Sequence, residues 1–316
     1  MIKIGIIGES EGNGHPFSWS AIVNGYYPEK MGSCDYESIP KYLARQEWER
    51  PHVPNAIFTH IWTEEISRTK FIAETCKNLT VATSLRELVS KVDAIIIARD
   101  DYLQNLRLAK DIAGQQKPIL FDKQIAGSLD EARNIVDICR IKKSPVFSGS
   151  PISHYNQAVI VSWLQAHSTT QIIAVTPKKW YNYAIHIVDP IITAMNSCKG
   201  MSVESINVLG HSGSITSAIL HVARPNMPSL EILLRADSNY QGGFKFMADA
   251  NDLLRKQEYV IGDPFEYFKA YLNCFVNFCE TVKDKEKSAE ALKMELKGTD
   301  HHLYVQSIID TVSASM

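Results

Sequence analysis

The chain has 316 residues, a formal net charge of −2, and 45% hydrophobic and 22% charged residues. That is long enough for two domains with a sizeable core, and the composition is that of an ordinary soluble protein. No basic block stands out, and no apolar run approaches the roughly 18 residues of a membrane helix, so neither nucleic acid nor a membrane is an expected partner.

The predicted elements alternate through the first half. Residues 2–7 are apolar, too short for a signal peptide and followed by no cleavage pattern. They read as a first buried strand, and a cytoplasmic protein is expected. Residues 18–26 suit a helix. Residues 28–54 form an insertion rich in Tyr, Trp, Glu and Pro, whose aromatics favour an ordered loop or a short helix at 39–48. It is expected to border the active site as a lid, a pocket wall or an oligomer contact. A strand at 56–62, a helix at 67–76, a strand at 80–83 and a helix at 85–89 follow. Residues 92–98 are a continuous apolar run, 106–113 have helical spacing, and 117–121 run into Asp122-Lys123-Gln124. Strands buried on both faces and joined by helices imply a parallel sheet. Ser128 and Glu131 form a capping box that opens a helix over 128–141, and 145–147 is the last strand of the set. This order predicts an α/β chain with a doubly wound Rossmann domain over 1–150.

The second half changes character. Helices are expected at 156–166 and 183–195, and strands at 171–175, 205–209, 215–222, 230–235 and, more weakly, 243–247. Consecutive strands predict a C-terminal α+β domain over 151–316 with a largely antiparallel open sheet. An aromatic amphipathic helix (264–282) and two closing helices (288–297 and 302–313) complete it. The run Lys283-Asp284-Lys285-Glu286-Lys287 mixes signs and reads as a solvated turn. Cys34, Cys76, Cys139, Cys198, Cys274 and Cys279 are scattered without a CxxC pair. They read as structural thiols of a reducing compartment, and no metal site or disulfide framework is signalled.

Three segments carry chemistry. Gly8-Glu9-Ser10-Glu11-Gly12-Asn13-Gly14-His15 follows the first strand directly, where backbone N–H groups can approach a pyrophosphate. Ser10 and Asn13 stand where GxGxxG requires glycine, so a turn needing only positive φ is the plain alternative. The spacing Gly8-x-x-x-Gly12-x-Gly14 also matches short-chain dehydrogenases. Their Tyr-x-x-x-Lys pair is met only by Tyr26 and Lys30, interrupted by Pro28 and far too early, which rejects that reading. At the end of the second strand, Thr63 and then Glu64 take the position that holds a ribose. Lys123 lies beyond the carboxyl end of a strand, where ligands of such sheets bind; a solvated lysine is the alternative. In the second half, Asn182 and His186 are four apart on a predicted helical face, and Asp189 is placed to orient His186. A lone helical histidine is more often structural than catalytic.

Glycine loop, acidic-Lys dipeptide, capped helix and His-x-x-Asp, in that order, resemble the glucose–fructose oxidoreductase and inositol dehydrogenase family (Gfo/Idh/MocA). The resemblance spans essentially the whole chain and is strongest over 56–132. It implies NAD or NADP as cofactor, held by Gly8, Ser10, Gly12, Asn13, Gly14, His15, Thr63, Glu64, Ala98, Arg99, Asp100, Asp122 and Lys123. It implies hydride transfer to or from a carbohydrate-like small molecule, a sugar, sugar acid, cyclitol or nucleotide sugar, bound by Lys123, Asn182, Tyr183 and His186. His186 then carries the hydroxyl proton, which suits a side chain whose ordinary pKa is about 6.5, and cationic Lys123 stabilises the alkoxide. A homodimer or homotetramer through the open sheet is implied as well. The chain departs from the family in three places. Gln124 replaces the proline of Glu-Lys-Pro, Asn182 replaces the aspartate of Asp-x-x-x-His-x-x-Asp, and Arg99-Asp100-Asp101 replaces Thr-Pro-Asn. The altered glycine loop, Gln124 and Asn182 keep open a ligand-binding or regulatory relative without turnover, and a redox-neutral enzyme with a tightly held cofactor is a third possibility; retained Lys123 and His186 favour the oxidoreductase.

Overall fold

The computed structural model describes residues 1–49, 51–249, 257–284 and 288–315, with the backbone alone over 288–296. Residues 285–287 of the charged run lie outside the described residues. In chain order the elements are β1 (Ile2–Ile7), α1 (His15–Asn24), α2 (Pro28–Met31), α3 (Ser38–Leu43), β2 (Ala56–Trp62), α4 (Ile66–Thr75), β3 (Thr80–Val81), α5 (Leu85–Lys91), β4 (Ala94–Ile97), α6 (Asn105–Ile112), β5 (Ile119–Phe121), α7 (Leu129–Ile141) and β6 (Val146–Phe147). Then come α8 (Ala158–Gln165), β7 (Gln171–Pro177), α9 (Trp180–Tyr183), α10 (Ile185–Asn196), β8 (Ser202–Ser212), β9 (Ile215–Ala223), β10 (Leu230–Asp237), β11 (Phe244–Ala248), β12 (Gln257–Ile261), α11 (Pro264–Lys283) and α12 (Ser288–Ser313).

The chain divides into two compact units, Met1–Gly149 with Asp263–His302, and Ser150–Gly262 with Leu303–Met316. The sequence alone assigns all of 151–316 to one domain, whereas the structure groups Asp263–His302 with the first unit and, beyond that segment, keeps only the end of the chain, from Leu303, in the second. The reason is the apolar face of α11. Phe265, Phe268, Leu272, Phe275 and Cys279 recur at helical spacing and are buried in the same core as Trp19 and Ile22 of α1.

The first unit is a parallel sheet in the order β3-β2-β1-β4-β5-β6 among the described residues. Every residue of β4 and β5 is buried, which is why their sequences show no alternation. The strand order reverses between β1 and β4, so the crevice for a ligand opens at their carboxyl ends. Ser128 caps α7 through the Glu131 N–H at 3.3 Å. The insertion is not a free lid. Met31, Cys34, Ile39, Tyr42, Leu43 and Val53 are buried in the unit's core, and Trp48 stacks edge-on with Tyr26 at 5.1 Å.

The second unit is a sheet in the order β12-β11-β7-β10-β9-β8 among the described residues, parallel between β7 and β10 and otherwise antiparallel. β12 escapes the sequence reading because Gln-Glu-Tyr-Val-Ile has no clean apolar alternation. The two expected closing helices are one helix, α12. Gly298 does not break it, since a single interior glycine costs only about 1 kcal/mol. Among the described residues no helix is long and apolar enough to cross a membrane.

Candidate functional site

In the first unit the glycine loop and the Asp-Lys dipeptide are tied together by carboxylates. Asp122 follows β5 and is fully buried. Its Oδ2 accepts from Asn13 Nδ2 at 2.8 Å and lies 2.5 Å from His15 Nδ1. Burial alone would raise this carboxyl, but the charges of His15 and Lys123 and the two hydrogen bonds outweigh it, and the pKa falls below the ordinary aspartate value. The other oxygen, Oδ1, is buried without a partner among the described residues. His15 itself stacks on Trp19, 4.5 Å between ring centres.

Lys123 is buried on a left-handed backbone, φ 65°, a conformation that L residues rarely adopt. Its Nζ donates to Asp100 Oδ2 at 2.8 Å, and Asp100 Oδ1 accepts from Ser10 Oγ at 2.8 Å. Gly12, φ 78°, supplies the loop's left-handed turn. Gly14 is required for a different reason. A Cβ there would stand 2.7 Å from Cγ of Tyr36 and 2.6 Å from Cδ1 of Ile39, both from the insertion.

Beside the loop a cleft of about 690 Å³ is lined by Ser10, Gly12, Tyr36, Glu64, Glu65 and Arg68, among others. Of its acids, Glu9, Asp35 and Glu64 are ion-paired. Arg68 holds Glu9 through Nε and Nη2, each at 2.9 Å, and Asp35 at 2.8 Å, and hydrogen bonding to Glu9 pushes the guanidinium up. Tyr36 donates to Glu9 at 2.7 Å. Burial, then that bond, pushes the phenol up. Glu64 meets Arg107 at 2.8 Å and Arg99 at 3.5 Å. Thr63 lines the cleft, but its hydroxyl is committed to the Glu65 carbonyl at 2.7 Å and to Thr69 at 2.8 Å. Glu64 and Glu65 are therefore the polar groups offered at the end of β2. Arg99 is buried and turned onto Asp101 rather than free along the crevice, while Ala98 continues β4 by donating to the Ile7 carbonyl at 2.7 Å. The Gly8 N–H donates to the Trp62 carbonyl at 3.1 Å, fixing where the loop leaves the sheet. A dinucleotide fits these residues in part: the turn carries no side chain at Gly12, Glu64 and Glu65 offer carboxylates for a ribose, and Arg68 compensates Glu9 and Asp35, while Glu11 stands in the lining without an ion pair among the described residues.

In the second unit, His186 lies near the start of α10 and is buried. Its Nδ1 is 2.8 Å from Ser150 Oγ. Asp189 also reaches the serine beside the ring. Asp189 Oδ2 accepts from the Ser150 N–H at 2.6 Å, so it fixes the serine that meets the histidine. Pro190, inside α10, has no N–H to donate to the His186 carbonyl. The imidazole packs against Tyr183 at 5.2 Å and Phe244 at 4.8 Å. Tyr183 is anchored by Lys178, whose Nζ donates to its hydroxyl at 2.7 Å. Asn182 departs from expectation. It lies on α9, separated from α10 by Ala184, and is exposed where His186 is buried. Sequence reasoning missed Ser150, Phe244 and Arg68, because their partners are tens of residues away along the chain.

No family model matches the sequence, and a search of curated proteins finds no match. Solved structures do match. A Gfo/Idh/MocA family oxidoreductase from Vibrio cholerae has a TM-score of 0.64 at 12% identity, covering 99% of both chains. The UDP-N-acetylglucosamine 3-dehydrogenase of Acidithiobacillus ferrooxidans has a TM-score of 0.62 at 12% identity, covering 98% of this chain and 99% of that one. A 3-ketoreductase from Actinomadura kijaniata, solved with TDP-benzene and NADP, has a TM-score of 0.63 at 12% identity, covering 99% of this chain and 97% of that one. The chain has the fold of the Gfo/Idh/MocA-type oxidoreductases, the family its motifs resemble.

Proposed function

We propose that the chain is an NAD(P)-dependent oxidoreductase acting on a hydroxyl or keto carbon of a sugar, cyclitol or nucleotide sugar. The observation that carries the reading is Lys123. It is held on a left-handed backbone beyond β5, with its ammonium 2.8 Å from an aspartate that also grips the glycine loop. The dinucleotide would supply the hydride chemistry, held by the turn at Gly12 and Gly14 and by Glu64 at its ribose. Those carboxylates favour NAD over its phosphorylated form. The structural neighbours named above act, by description, on a nucleotide sugar or a keto group, which supports the substrate class.

Lys123, kept cationic, stabilises negative charge developing on the substrate oxygen. His186, fixed through Nδ1 by Ser150, handles the hydroxyl proton. Tyr183 and Phe244 give a sugar ring an apolar wall beside that histidine.

The start of α1 favours a second reading. The His15 N–H is taken by Asn13 Oδ1, Pro16 has no N–H, and the Phe17 and Ser18 N–H groups turn back on the Gly14 carbonyl. A relative that binds ligands without turnover would tolerate that loss of phosphate donors. The test is reduced-nicotinamide absorbance with NAD and a panel of sugars, cyclitols and nucleotide sugars. Turnover by the native chain, reduced at least about 100-fold in Lys123→Met, supports the enzyme. No turnover on any panel member, whether or not a dinucleotide binds, favours the second reading.

A further inference from the structure

Lys123 is gripped at both ends. Its carbonyl accepts from Ser148 Oγ at 2.7 Å and from the Gly149 N–H at 3.1 Å. Its ammonium donates to Asp100 at 2.8 Å, with the lysine side chain 5% and the aspartate 15% exposed. Asp100 is in turn fixed at its far side. Its Oδ1 accepts from Ser10 Oγ at 2.8 Å, and its own N–H donates back to that hydroxyl at 3.1 Å. An ammonium on a four-carbon stem has no preferred direction of its own, whereas a carboxylate anchored at its other oxygen imposes one. Asp100 therefore connects the middle of the glycine loop to the lysine.

We infer that Asp100 is a positioning residue that aims Lys123 and, through Ser10, couples the lysine to the glycine loop. Its meaning rests on the proposed function; its test does not. If Asp100 merely balances a buried positive charge, any carboxylate in reach suffices and Ser10 is irrelevant to Lys123. If it positions, loosening Ser10 loosens the lysine although no charge is removed. Coupling of this kind is reciprocal, so whatever occupies the loop also changes Lys123, and Lys123 changes how tightly the loop is occupied.

The experiment is competitive labelling of the ligand-free full chain with acetic anhydride, with Lys123 acetylation measured by peptide mass spectrometry. The other lysines are internal references. Asp100→Asn is expected to change the Lys123 labelling rate about tenfold, and Ser10→Ala to change it in the same direction by about threefold. Asp100→Glu is expected to lie nearer the native rate than Asp100→Asn, and it serves as the charged variant should Asp100→Asn fail to fold. Saturating NAD is expected to shift Lys123 labelling in the native chain and to shift it less in Ser10→Ala. Native labelling in Ser10→Ala, together with altered labelling in Asp100→Asn, would reduce Asp100 to charge balance and overturn the inference. Failure of the native chain to bind any dinucleotide would sink the proposed function instead, and the two apo-protein comparisons would still decide the role of Asp100.

Discussion

His15 Nδ1 stands 2.5 Å from Oδ2 of Asp122, a carboxylate with no exposed side-chain surface. An ionised group at that depth persists only because His15, Lys123 and Asn13 compensate its lost hydration. The pairing places a buried acid between the glycine loop and the lysine.

The first prediction concerns acid stability. The folded-state pKa of Asp122 lies below its unfolded value of about 3.9. The stability it contributes is therefore complete above that value and is lost as the pH falls through the depressed one. Asp122→Asn leaves His15 without its partner and is expected to cost about 3 kcal/mol at neutral pH. Chemical denaturation at pH 7 and in steps below pH 4 checks both points. The variant is expected to lose less additional stability in acid than the native chain.

Arg224 makes the second prediction, and it concerns the second unit alone. Its guanidinium is buried and donates to backbone carbonyls of Pro228 at 2.8 Å, Ala166 at 2.9 Å, Leu164 at 3.3 Å and Thr169 at 2.8 Å. Two of these belong to the last turn and C-cap of α8, where a cation also suits the helix dipole. Arg224→Met is expected to lower stability by about 3 kcal/mol, and Arg224→Lys by less. Thermal melts of both variants read the difference.

How far all this was legible follows from where each signal resides. β4 and β5 are plain in the sequence, because residues buried on both faces read as unbroken apolar runs. The place of Lys123 follows from the strand before it. Its partner does not, because Asp100 comes from a different strand end and Ser10 from a third. For the same reason spacing offers Asp189, three residues from His186, but not Ser150, which is distant in sequence and meets both the ring and Asp189. Local spacing reports local geometry; the joins across the sheet are tertiary.

The third prediction uses Arg68. Without it, Glu9 and Asp35 lose their cation beside the cleft. Arg68→Met is expected to weaken dinucleotide binding about tenfold at low salt, and added salt is expected to recover part of the loss by screening. Titrations at two ionic strengths measure both effects. A loss unchanged by salt would mean that the arginine acts through packing on Phe17 and Phe71 instead.

The open face of the second sheet yields the fourth. Ile219, Leu233, Ile173 and Met247 are paired neighbours across β9, β10, β7 and β11, and all four are only half-buried, while the alternate residues Leu220, Leu234, Ala174 and Phe246 face the core. An apolar row of this kind suits a second copy of the chain. Sedimentation is expected to give a dimer or tetramer at micromolar concentration, and Leu233→Glu to shift it to monomer without unfolding. A native chain that sediments only as monomer would end that expectation.

The most direct measurement is a titration of purified protein, checked for carried-over dinucleotide, with NAD(H) and NADP(H). Binding is expected in the micromolar range, tighter for NAD because Glu64 and Glu65 oppose a ribose phosphate. A folded sample that binds neither form would contradict it, since the loop from Gly8 to His15 would then be no dinucleotide site.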